Sequence, residues 1–246
     1  MIRVFLLLLC LAWPALAAAP TATTTVPVAA AADLRLALPP LVHGHEAQTG
    51  ARFSLSFGSS GQMVQQALNG APFQLLLLAD ASHATRLAAA VPGVERRPYA
   101  LGRLALVATR ASGITDLASL KAAIRAGRIR HLAIANPAHA PYGVAARAVL
   151  AGRGVTGAPL VLGDNVAQAL SFVSKGAAEA GLVALPLARA ASSGLIVVPV
   201  SPALHPPLVQ TLVLMPGATP AARGLADRIT GPNGRAALAR AGFGLP

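Results

Sequence analysis

The 246 residues carry 20 Lys and Arg against 8 Asp and Glu, a formal charge of +12, and 54% of the side chains are hydrophobic while only 4% are aromatic. With so few rings and with basic residues scattered as arginines, the chain lacks the stacking platforms and basic stripes of a nucleic-acid binder, while its positive field concentrates small anions. A single cysteine, Cys10, excludes a disulfide framework and a thiolate metal site.

The N-terminus opens with Arg3 and the apolar run "VFLLLLCLAW", too short to span a bilayer comfortably, followed by the small-residue stretch "PALAAAP". This is the pattern of a cleaved secretion signal over residues 1–19, with cleavage after Ala17 or Ala19; it removes Cys10 and leaves a periplasmic chain. No later run of about 18 apolar residues predicts a membrane span.

Strand and helix signals then alternate. Apolar or alternating runs predict strands at "VPVAAAA", "RFSLSFG", "FQLLLLAD", "RLALVATR", "HLAIANP", "GLVAL", "LIVVPVS" and "VQTLVLMP". Helical patterns fall between them: "LRLALPPLVHGHEAQTG", bent or shortened by its proline pair, then "QMVQQALNG", "ASHATRLAAAV", "GVAARAVLAGRG" and "NVAQALSFVSKG". Alternation of this kind predicts α/β architecture with mostly parallel sheets. Four leucines in a row, Leu75 to Leu78, suit a strand buried on both faces.

In such sheets ligands bind beyond the strand ends, where the next helices begin. Four junctions stand out, at Asp33, at Ser59 and Ser60, at Tyr142, and at Val166. Each offers free backbone amides and the positive end of a helix dipole to an anion. Gly58, Gly61 and Gly143 permit close backbone approach, and serine hydroxyls add donors. Arg35 is the one cation within these motifs. A neutral site of this kind recognises a compact oxyanion by shape and hydrogen-bond count.

In their order, "AAADL", "TGARFSLSFGSSGQMVQQALNGAPFQLLLLAD", "LGRLALVATR", "IANPAHAPYGVAARAVL", "VLGDNVAQALSFVSKGAAEAGLVALPLA" and "GPNGRAALARAGF" resemble the periplasmic molybdate-binding proteins of ABC importers, over essentially the whole mature chain. The resemblance implies a type II periplasmic binding protein fold: two lobes, each a mixed, mostly parallel sheet flanked by helices, joined by a two-segment hinge. Lobe one would comprise residues 26–105 and 203–246, and lobe two residues 106–202. It implies a non-catalytic monomer that captures molybdate, and with it tungstate, between the lobes and delivers it to a membrane permease. No cofactor and no protein-ligated metal are implied.

The ligand positions that the resemblance carries over are Asp33, Ser60, Tyr142 and Val166, supported by Ala32, Gly58, Ser59, Gly61 and Gly143. Three positions depart from the family pattern: Asp33 stands where a serine is usual, Ala184 where a tyrosine is frequent, and Gln74 where an acid is usual. A carboxylate against a dianion is repelled unless one of the two is protonated. Either Asp33 caps its helix with the side chain turned away, or it accepts a hydrogen bond from a protonated oxyanion; the second reading favours phosphate over molybdate. Phosphate or sulfate is therefore the alternative ligand.

The remaining motifs have plainer readings. A secreted serine hydrolase using Ser60 is the other class to weigh, but "GSSGQ" lacks the nucleophile-elbow spacing and no triad partners are evident. His43 and His45 read as a solvated pair pointing to different sides of a helix, and His139 as an exposed loop residue. Tyr142 reads equally as core or as ligand donor. Asp80, Asp164 and Asn165 read as helix caps.

Overall fold

The structure, a computed structural model, describes residues 25–191 and 193–246; the leader expected at residues 1–19 lies outside them. In chain order the elements are β1 (Thr25–Ala31), a 3-10 turn (Ala32–Leu34), α1 (Leu38–Thr49), β2 (Arg52–Gly58), α2 (Ser60–Leu68), β3 (Leu75–Leu78), α3 (Ala81–Ala90), β4 (Glu95–Gly102) and β5 (Leu104–Thr109). There follow α4 (Leu117–Arg125), β6 (Leu132–Ala135), α5 (Pro141–Gly152), β7 (Leu160–Gly163), α6 (Val166–Ser174), β8 (Ala180–Ala184), α7 (Leu185–Ala190), β9 (Leu195–Pro199), β10 (Leu208–Leu214), α8 (Pro220–Thr230) and α9 (Pro232–Ala241).

Two five-stranded sheets result, ordered β2-β1-β3-β10-β4 and β7-β6-β8-β5-β9. In the first, β1 pairs in parallel with β2 and β3, and β10 runs antiparallel to β3 and β4. The second repeats the scheme, with β5 the reversed strand between β8 and β9. The reversed strand of each sheet is the one that has just crossed from the other lobe. The first crossing is the single residue Arg103 between β4 and β5, so β5 starts two residues before the division expected from the sequence; the second is the segment between β9 and β10.

The apolar spacing accounts for the layers. Along β3, Leu75 and Leu77 join the core under α1, α8 and α9, whereas Leu76 and Leu78 join the core under α2 and α3. All four are fully buried, as a strand covered on both faces requires, and each such leucine stabilises the fold by about 1.5–3 kcal/mol. The proline pair Pro39–Pro40 falls in the first turn of α1, where missing N–H groups cost little; it splits the expected long helix into the 3-10 turn and α1.

Two strands escaped the periodicity reading. β4 begins "ERRP" and β7 is only four residues long, and both are edge strands, where proline, charge and short length are tolerated.

Candidate functional site

Two lobe-one elements and two lobe-two elements point their N-termini at one small cavity. The 3-10 turn after β1 and helix α2 come from lobe one, and α5 and α6 from lobe two. The cavity, about 10 Å³, is lined by Ala31, Ala32, Asp33, Gly58, Ser59, Ser60, Ala79, Ala140, Pro141, Tyr142, Asn165 and Val166. A volume of that order is about what one water molecule needs. No Arg or Lys lines it. Arg35 is exposed and lies over the ring of Phe57, 5.7 Å from its centroid, so the cation next to the motif does not enter the site.

Local capping leaves particular amides available. In α6 the Asn165 side chain accepts from the amides of Ala167 and Gln168, both at 3.1 Å, leaving that of Val166 unclaimed by the cap. In α5 the first residue is Pro141, which has no N–H, so the amide of Tyr142 is the first of that helix. In α2 the Ser60 hydroxyl accepts from the Ala79 amide at 2.9 Å, which fixes Oγ and leaves its proton to donate into the cavity. The sequence-predicted residues Ala32, Asp33, Gly58, Ser59, Ser60, Tyr142 and Val166 are thus brought together here.

Gly61 and Gly143 serve otherwise. The Gly61 amide donates to the His139 carbonyl at 2.9 Å, and a Cβ at Gly61 would stand 2.8 Å from that oxygen. A Cβ at Gly143 would stand 2.2 Å from the Ala135 carbonyl, so this glycine seats α5 on the end of β6. Gly58 meets only ordinary contacts, its nearest neighbour being Met63 at 3.6 Å.

The lobes are in contact across the cleft. Besides the Gly61–His139 bond, the Ser59 hydroxyl lies 2.8 Å from Nδ1 of His139 and 3.0 Å from Oε1 of Gln62. His139 is therefore a half-buried clasp between the lobes, which corrects its reading as an exposed loop residue. Folding brings an imidazole to Ser59 that the sequence did not show, but the Ser59 hydroxyl donates to Gln62 and among the described residues no carboxylate hydrogen-bonds His139, so no triad forms.

Asp33 departs furthest from expectation. It does not cap: the turn has no side-chain cap, and Asp33 is fully buried with Oδ2 accepting from Gln210 Nε2 at 2.7 Å. Oε1 of the same glutamine accepts from the Tyr99 hydroxyl at 2.8 Å, and its Nε2 lies 3.4 Å from the Tyr142 hydroxyl. Oδ1 of Asp33 has no hydrogen-bond partner. Burial raises the carboxyl pKa to about 6, against the opposing pull of hydrogen bonding from Tyr142 and Gln210. Both phenols are pushed well up by the same burial and by the neighbouring Asp33, so they remain neutral donors. Tyr142 is fully buried in the core and also borders the cavity.

Gln210 and Tyr99 were missed in the sequence. Gln210 is a lone amide within the apolar run of β10, and a polar group buried in a central strand needs partners. Tyr99 reaches it because β4 bulges there: Pro98 pairs with Thr211 and Ala100 with Gln210, leaving Tyr99 as the extra residue. Gly102 makes the space, since a Cβ there would stand 2.7 Å from the Tyr142 hydroxyl and 2.8 Å from Gln210 Nε2.

Other expectations need correction. Asp80 makes no cap bond; its carboxylate takes the Ser82 hydroxyl and Nδ1 of His83 instead. Asn165 caps α6, whereas the Asp164 carboxylate does not. His43 is exposed, but His45 is buried against Phe53, with ring centroids 5.8 Å apart, so the pair is not a solvated one. Ala184 ends β8 and lies outside the cavity lining, and Gln74 accepts from the amide and hydroxyl of Thr219, tying β3 to α8. A second, larger hollow of about 310 Å³ is bordered by Pro137, Val144, Pro206 and Leu208 and by the starts of α3 and α5, and its lining is mostly apolar.

Two lobes linked by two crossings, with helix N-termini from both closing on one cavity, define a two-lobed solute-binding protein. The family model for bacterial extracellular solute-binding proteins matches residues 26–244, and the chain belongs to that family. It is 35% identical over 234 residues to the molybdate-binding protein ModA of Azotobacter vinelandii, covering 89% of this chain and 90% of that one. Against ModA of Rhodobacter capsulatus the identity is 40% over 143 residues, covering 56% and 55% of the two chains. The solved periplasmic molybdate-binding protein of Azotobacter vinelandii superposes with a TM-score of 0.78 at 30% identity, covering 90% of this chain and 99% of that one. The chain is accordingly a solute-binding protein and not an enzyme.

Proposed function

We propose that this chain captures molybdate, and with it tungstate, in the cavity between its lobes and hands it to the permease of an ABC importer in the periplasm. The observation that carries the reading is the convergence of four helical N-termini from two lobes on one compact cavity without a lysine or arginine. Amides and dipoles arranged in that way suit a small, fully ionised oxyanion and give nothing to an extended organic solute. Similarity to molybdate-binding relatives along nearly the whole chain supports the choice of anion.

The donors are the Ser60 hydroxyl and amide and the amides of Tyr142 and Val166, with Asp33 beside them. Ala32, Gly58 and Ser59 shape the wall, while Gly61 and Gly143 bring the backbones together. Anion capture draws the lobes shut, and the closed pair is what the permease recognises. The mature chain begins after the leader and acts as a monomer without a cofactor.

Isothermal titration of the mature protein, freed of ligand by partial unfolding, against molybdate, tungstate, sulfate and phosphate tests this. Tight molybdate and tungstate binding that is lost in Ser60→Ala is expected. A preference for sulfate or phosphate would reassign the ligand, and silence towards all four would end the oxyanion reading.

A further inference from the structure

Asp33 lines the cavity, and its fully buried carboxyl has Oδ2 engaged by Gln210 and Oδ1 without a side-chain or backbone partner at hydrogen-bond distance. A buried carboxyl oxygen left unpaired is costly unless something supplies a hydrogen or the group is neutral. Among the described residues the groups acting on this carboxyl are neutral: Gln210 donates to Oδ2 and is itself held by Tyr99 and Tyr142, and Tyr142 and the backbone amides of Asp33 and Leu34 favour the ionised form without a charge of their own.

The charged groups on neighbouring elements do not compensate it. Arg52 at the far end of β2, Arg189 on α7, Lys175 after α6 and Asp164 before it are all exposed, Arg35 lies over Phe57, and Arg103 between β4 and β5 is half-buried and meets Tyr142 through its backbone without acting on the Asp33 charge. His139 faces Ser59 instead. A dianion entering this cavity therefore meets one uncompensated carboxyl, and a single proton between the two resolves the repulsion.

Resting on the oxyanion reading above, we propose that Asp33 makes anion capture proton-linked: one proton sits between Asp33 Oδ1 and a ligand oxygen in the closed complex. With a fully deprotonated dianion such as molybdate or sulfate, the proton comes from solution and the neutral carboxyl donates it. With hydrogen phosphate, the ligand brings its own proton and the carboxylate accepts it. With molybdate or sulfate the carboxyl O–H bond forms as a buffer acid or hydronium gives up its proton; with hydrogen phosphate the ligand keeps its own O–H bond and only the O–H···O contact is new.

Since the free carboxyl titrates at about 6, it is ionised above neutrality and must take up about one proton per molybdate there. The affinity for molybdate then falls about tenfold for each pH unit between 6.5 and 8.5. Titrations of the whole mature protein in two buffers of different ionisation enthalpy count the protons directly, with Asp33→Asn and Asp33→Ser as comparisons and His139→Gln as the control for the other titratable group at the cleft.

Uptake of about one proton with molybdate, none with hydrogen phosphate, and a flat pH profile in the Asp33 variants but not in His139→Gln would support the proposal. Molybdate or sulfate binding without proton uptake, or an unchanged slope in Asp33→Asn, would overturn it while leaving the oxyanion reading intact. Failure of every anion to bind would remove both together.

Discussion

The buried carboxyl makes a prediction about the ligand-free fold that is independent of any anion. In Asp33→Asn the Gln210 contact retains an acceptor oxygen, and a group that cannot ionise replaces one that must. The folded pKa is raised, from 3.8 to about 6. For an acid shifted upward, the stabilisation is present in full below the unfolded value and is lost as pH rises through the folded value. Above pH 7 the parent therefore carries the whole cost of ionising Asp33, about 3 kcal/mol for a shift of this size. Near pH 5 the cost is about half of that, and near pH 4 it is well under ~1 kcal/mol. Urea unfolding of both proteins without ligand, from pH 4 to pH 8, reads the difference directly. The asparagine variant should gain on the parent steadily with pH, reaching a melting temperature higher by several degrees at pH 7.5, since ~1 kcal/mol is worth about 2–4 °C for a chain of this size. A gap that does not change with pH, or a variant less stable than the parent at pH 7.5, would refute the reading of Asp33 as a buried carboxyl without a compensating charge.

Four further outcomes follow from the geometry. Gly102→Ala should lose about 1–3 kcal/mol of stability and weaken anion binding, because the new methyl meets the Tyr142 hydroxyl, Gln210 and Leu208, all within 2.8 Å. Gly152→Ala, where nothing lies within 4 Å, should be neutral or slightly stabilising by thermal melting. Removing the clasp through Ser59→Ala or His139→Ala should cost about 1 kcal/mol of closure each, seen as a several-fold loss of anion affinity, with a double-mutant cycle showing the two losses to be non-additive. Asn165→Ala should lower stability by about 1 kcal/mol in denaturant unfolding, because the amides of Ala167 and Gln168 lose their cap.

Much of the architecture is written locally. The unbroken apolar run "LLLL", the alternation of strand and helix signals, and the polar junctions that start α2 and α6 are properties of neighbouring residues, so the α/β class, most elements and the four junctions that border the cavity can be read before folding. β4 and β7 could not, because edge strands are released from the burial that makes strands recognisable.

What tertiary structure alone decided is who meets whom. Asp33 and Gln210 are 177 positions apart, Tyr99 and Gln210 are 111 apart, and Ser59 and His139 are 80 apart. No local pattern encodes such pairs; they arise because β10 returns to lobe one between β3 and β4 and because the lobes close face to face. An aspartate beside a helix start is a cap by local rules. It becomes a buried carboxyl only because a bulge at Tyr99, the missing side chain of Gly102 and the amide of Gln210 build a dry polar cluster around it. The sequence by itself determined the scaffold and the helix starts that border the cavity, since those follow from backbone periodicity and capping. The charge state of the one carboxyl among them was decided by desolvation, which depends on everything that packs against it.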